Sequence, residues 1–89
     1  MFEFDPAKSA LNKDKHGIDF VEAQALWSEG SPLSIEARSG PETRYLAIGR
    51  IGGALWSAVY TMRGAAIRLI SVRRARKDEA ELYDSQKNH

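Results

Sequence analysis

No cysteine occurs among the 89 residues, which excludes disulfides, thiolate metal sites and cysteine nucleophiles. No apolar run approaches the roughly 20 residues that a membrane-spanning helix needs. The opening MFEFDPAK has an acid at position 3 and no apolar h-region, so no secretory signal is expected either, and the expected compartment is the cytoplasm. The three prolines, Pro6, Pro32 and Pro41, stand where elements begin or end. No histidine pair or carboxylate cluster has the spacing of a metal site. Gly49, Gly52 and Gly53 do not open a helix as a phosphate-binding loop does. Ser71 has no His or Asp at a triad spacing. No metal and no cofactor are expected.

The most informative absence is of one sign of charge. From Thr43 to Lys77 the chain has eight Arg or Lys and no acid. Residues 1 to 42 carry eight acids and four bases, and residues 78 to 89 carry four acids and one base, so the net charge of +1 conceals a cationic middle block. Such a block is how a polyanion-binding face looks in sequence, although arginines solvated on strand faces would look the same. The hydrophobic fraction of 43% and charged fraction of 28% are those of a globular protein. The length fits a single domain, residues 1–89, with a small core.

Phe2, Glu3 and Phe4 alternate as a short strand does, and Asp5-Pro6 reads as an N-cap followed by proline at the first helical position. The helix closes at His16-Gly17, a histidine at the negative end of the dipole and a glycine for the left-handed cap. Ala7, Ala10 and Leu11 would be its apolar stripe. Asp19 and Glu22 resemble a capping box opening a second helix, with Phe20, Ala23, Leu26 and Trp27 on one face and Gly30-Ser31-Pro32 as its stop. Leu33 to Glu36 is a short strand and Ala37 to Glu42 a surface loop.

From Thr43 the period changes to two. Arg44, Leu46, Ile48 and Arg50 alternate with Tyr45, Ala47, Gly49 and Ile51, which predicts one face apolar in its middle and cationic at both ends. Gly52-Gly53 suits a tight hairpin into a strand over Leu55 to Arg63. Arg63-Gly64-Ala65 turns into a third strand, Ala66 to Arg73, whose Ile67, Leu69, Ile70 and Val72 fall on both faces and predict a central position. Ala75 to Gln86 has Glu79, Leu82 and Tyr83 at helical spacing. The resulting order is an α+β domain: an antiparallel β-sheet with two N-terminal helices and one C-terminal helix.

The run F-x-F-D-P-A-K-x-x-x-N-x-x-K-H-G-I-x-F-x-E-A, Phe2 to Ala23, resembles the opening signature of the BrnT family of type II toxins. Glu42-Thr43-Arg44, Ile48-Gly49, Val59-Tyr60-Thr61-x-Arg63, Arg68 to Ala75, Glu79 and Tyr83 agree at the family's spacing. The resemblance implies a compact RelE-like fold and an endoribonuclease that inhibits translation by metal-independent RNA cleavage. It also implies a BrnA-like antitoxin encoded alongside, a toxin-antitoxin hetero-oligomer, and contact with promoter DNA only through the antitoxin. Two positions depart from the family pattern: Val72 stands where alanine is usual, and Ala80 where an arginine follows the helix glutamate.

Metal-free cleavage needs a base for the ribose 2′-hydroxyl, cations for the phosphorane and an acid for the leaving 5′-oxygen. Arg63, Arg68, Arg73 and Arg74, at or near strand ends, are the candidate phosphate clamp, and at least one of them is expected to pair with an acid of the final helix. Lys15 and His16 are candidates for proton transfer, with helix capping the competing role of His16. Tyr83 matches, by resemblance, the aromatic near the C-terminus of RelE-like toxins that stacks on a base or orients phosphate; a core position competes. Arg44, Arg50, Arg68 and Ser71 are candidate RNA contacts. The rival readings are a non-catalytic nucleic-acid-binding module, for which the acidic second helix offers no helix-turn-helix, and a protein-interaction module that receives an acidic segment.

Overall fold

The structure, a computed structural model, describes residues 1–37 and 40–87, except for the side chain of residue 87. The elements run β1 (Phe2–Glu3), α1 (Pro6–His16), a 3-10 turn (Glu22–Gln24), α2 (Ala25–Ser28), β2 (Leu33–Ala37), β3 (Arg44–Ile51), β4 (Ala54–Arg63), β5 (Ala66–Arg74) and α3 (Lys77–Lys87). One five-stranded sheet has the order β1-β5-β4-β3-β2. Of the loop expected over 37–42, Ala37 belongs to β2, and residues 38 and 39 lie outside the described residues.

The α+β class is as expected, and four details differ. The sheet is mixed, because Phe2 and Glu3 pair in parallel with Ile67 and Arg68; two residues carry no periodicity from which a direction can be read. The strand β5 is therefore not central. Beside it β1 covers two residues, and β4 takes the middle. The second helix is split. Its capping box forms, with the amides of Val21 and Glu22 donating to Asp19 Oδ1 and that of Asp19 to Glu22 Oε1. Between that box and Gly30 the chain folds as a 3-10 turn followed by a four-residue α2. Finally, α1 buries Ser9 and Asn12 and leaves Ala7, Ala10 and Leu11 exposed. Ser9 Oγ accepts from the Phe20 amide at 2.9 Å. The Asn12 amide donates to the carbonyls of Ile18 and Val72 at 2.8 Å, and its Oδ1 accepts from the Val72 amide at 3.1 Å. This helix docks by polar bonds along the edge of β5 that β1 leaves uncovered.

Paired strand residues point to the same side of the sheet. The inner side holds Ala47, Ala58, Tyr60, Leu69 and Val72, which pack with Ile18, Phe20, Ala23 and Leu26. Edge-to-face contacts join Phe2, Trp27 and Tyr60 in sequence. A register shift at Val59/Tyr60 gives β5 an extra residue, Ile70, between Leu69 and Ser71. The bulge lets Leu69 and Val72 share the inner side despite their odd separation. Alternate residues, among them Arg44, Leu46, Ile48, Ser57, Val59, Thr61, Arg68, Ser71 and Arg73, form the outer side. There α3 packs against β3, and Ile48 is fully buried.

Candidate functional site

The outer side of the sheet is cationic at both ends and apolar between, as the alternation in β3 predicts. At one end Arg68 pairs with Thr61, whose hydroxyl donates to the Thr43 carbonyl at 2.7 Å. One further step of the β3–β4 register places Arg44 opposite the same threonine. Arg44 is half-buried, and its Nε is buried with no hydrogen-bond partner among the described residues. Arg68 meets Glu3 at 3.2 Å through one nitrogen, with both side chains partly exposed; such a pair is held weakly. Four residues along β4 from Thr61, about 13 Å by strand rise, Ser57 pairs with Arg73. Between the rows lie Leu46, Val59 and Ser71, half-buried.

Arg73 is not a free cation. It makes a fork-to-fork pair with Glu79 of α3, Nη1 to Oε1 and Nη2 to Oε2, both at 2.8 Å. The same carboxylate accepts from the Ser57 hydroxyl at 2.9 Å and from the Arg76 amide at 2.8 Å. Hydrogen bonding from Arg73, chiefly, with help from Arg76 and Ser57, lowers the Glu79 carboxyl from 4.5 to about 2 against the opposing push of burial. Reciprocally, the carboxylate raises the Arg73 guanidinium above its ordinary value. The expected pairing of one clamp arginine with the last helix thus falls on Arg73.

The four clamp arginines do not converge. Arg73 and Arg74 are neighbours on a strand and point to opposite sides. Arg74 lies over the Trp56 ring, 5.4 Å from its centroid, and Trp56 packs against the inner core. Arg63 faces Ala66 at the β4–β5 turn, seven steps along β4 from Trp56, the partner of Arg74, or about 23 Å. No single phosphate spans that. Lys15 and His16 are the last two residues of α1, which docks along the β5 edge. The glycine cap beyond them forms, Gly17 having φ 81° and its amide bonding to the Lys13 carbonyl. Tyr83 is half-buried on α3. The outer side therefore gathers Arg44, Arg50, Arg68, Ser71 and Arg73, with Arg63 at its far end, while Arg74 points to the other side.

Ser57 is the residue that sequence reasoning missed, although alternation with Leu55 and Val59 places it on the cationic side. Among the described residues no three His, Asp or Glu come together as a metal site, and no helix is long and apolar enough to cross a membrane. A family model described as ribonuclease toxin, BrnT, of type II toxin-antitoxin system matches residues 4–79. No curated protein matches the sequence.

Proposed function

The chain belongs to the BrnT family of ribonuclease toxins of type II toxin-antitoxin systems, and from that membership we propose that it is an endoribonuclease working on the outer side of its sheet. All of residues 1–89 form one toxin domain in this reading, with a RelE-like fold. It acts in the cytoplasm, lowers translation by cutting RNA, and is neutralised by a BrnA-like antitoxin in a hetero-oligomer that alone meets promoter DNA. The observation that carries the siting is the gathering of Arg44, Arg50, Arg68, Ser71 and Arg73 on one face.

The cleavage is an internal displacement. The 2′-oxygen loses its proton and attacks the adjacent phosphorus, and the 5′-oxygen leaves with a proton. Negative charge grows on the non-bridging oxygens, and fixed guanidinium groups stabilise it without a metal ion. Arg44 and Arg68 form the row that meets the scissile phosphate. Arg73, about 13 Å along the sheet, meets another phosphate of the same strand. Ser71 lies between the rows and contributes a hydroxyl, Tyr83 supplies an aromatic surface for a base, and Arg50 and Arg63 extend the cationic track. Lys15 and His16, at the end of α1, are the candidates for the two proton transfers, and Arg74 points to the other side of the sheet.

Purified protein should shorten RNA equally with and without a chelator. Arg44→Ala and Arg68→Ala should each lower the rate by about 100-fold, and His16→Gln should lower it and alter its pH profile, an unchanged rate and profile returning His16 to a helix cap. RNA that is retarded in a gel yet keeps its length would favour a non-catalytic binder. Full activity in the Arg44 and Arg68 variants would remove the site from this face.

A further inference from the structure

Glu79 is bonded more heavily than the anchoring of a helix requires. Both terminal nitrogens of Arg73, the hydroxyl of Ser57 and the amide of Arg76 aim at its two oxygens, and Ser57 is only 1% exposed. A planar fork, a hydroxyl and a main-chain N–H converging on paired anionic oxygens is equally the donor set that holds a phosphodiester. The donors come from β4, from β5 and from Arg76, the residue before α3, whereas the anion comes from α3 itself.

That helix is also poorly suited to stay in place when RNA arrives. Besides the paired Glu79 it carries Asp78, Glu81 and Asp84 in an exposed row, and its Ala80 and Leu82 are only half-buried. An approaching phosphate strand repels this helix and attracts the arginines beneath it.

We propose that Arg73, Ser57 and the Arg76 amide form a seat for an RNA phosphodiester, and that Glu79 occupies it in the resting chain until the RNA backbone displaces it and α3 lifts. The inference rests on the ribonuclease reading above and adds to it a phosphate position, a second seat residue in Ser57, and an internal competitor. The carboxylate and the phosphate exclude one another, so the resting affinity for RNA is reduced by the fraction of time the seat is filled.

A short RNA made entirely of 2′-O-methyl nucleotides cannot be cut and reports binding alone. By fluorescence anisotropy, Glu79→Gln should bind it at least about fivefold tighter than the unaltered chain, and adding Arg73→Ala to that variant should abolish the gain. Hydrogen exchange of residues 77–86 in the unaltered chain should speed up when the same RNA is added. A folded Glu79→Gln protein that binds no tighter, or α3 amides whose exchange is unchanged or slower, overturns the proposal. Should Glu79→Gln fail to fold, the exchange measurement on the unaltered chain decides. Cutting of ordinary RNA is scored separately: cutting without the affinity gain sinks the seat alone, and the gain without cutting sinks the ribonuclease reading alone.

Discussion

A single side-chain amide closes the edge of β5 where β1 has ended. Asn12 offers Val72 one donor and one acceptor, as a neighbouring strand would, and ties Ile18 to the same point. Asn12→Ala leaves the Val72 amide and two carbonyls buried without partners, at about 1–3 kcal/mol for each group left unpaired. Urea unfolding should show a loss of at least about 2 kcal/mol with an unchanged m-value. Glu79 gives a second residue-scale expectation. Its folded value of about 2 lies below the ordinary 4.5, so its contribution is complete above the higher value and is lost as pH falls toward the lower one, where the unfolded chain binds a proton that the folded chain refuses. With solvent screening, the loss amounts to about 1–2 kcal/mol. It should appear as a fall in the urea midpoint between pH 5 and pH 2 that is smaller in Glu79→Gln, for which about that range applies.

Among the elements, α2 sits where β3 has no side chain. A Cβ at Gly49 would lie 3.0 Å from Leu26 Cδ2 and 3.5 Å from Pro32 Cβ. Gly49→Ala should therefore cost about 1–2 kcal/mol, measured by thermal unfolding, unless Leu26 turns aside. Elements with a strong local rule were legible in the sequence. Alternation marks β3 and β4, Gly52-Gly53 marks their two-residue turn, and Asp5-Pro6 and Gly17 bracket α1. What was not legible depends on distant partners. Ser9 and Asn12 look like solvent-facing residues until Phe20 and Val72 supply their bonds. The parallel pairing of β1 has no local trace. The divergence of Arg73 and Arg74 was open to view in strand alternation, but grouping residues by charge hid it. Arg63 and Arg74 were separable by counting along one hairpin. The Arg73–Glu79 pair was anticipated in kind, whereas its Ser57 hydroxyl was not.

For the whole molecule, the deciding contacts join the two ends of the sequence. The backbones of Phe2 and Glu3 pair with those of Ile67 and Arg68 across 65 positions, and Asn12 meets Val72 across 60. A fragment ending before residue 66 lacks the partner of β1 and the strand on which α1 docks. Circular dichroism of such a fragment should show no cooperative thermal transition, and a sharp one would mean that β2 to β4 and α2 suffice. Folding of the complete chain should be slow for its size, in milliseconds to seconds, because long loops close before their contacts form.

The pairing of β1 with β5 sets a clock on synthesis. A ribosome adding about 5–20 residues per second takes roughly 3–13 s to travel from the first strand to its partner. Nascent and prematurely released chains pass that interval without the complete sheet, so for a few seconds each new copy lacks the face that gathers Arg44, Arg68 and Arg73.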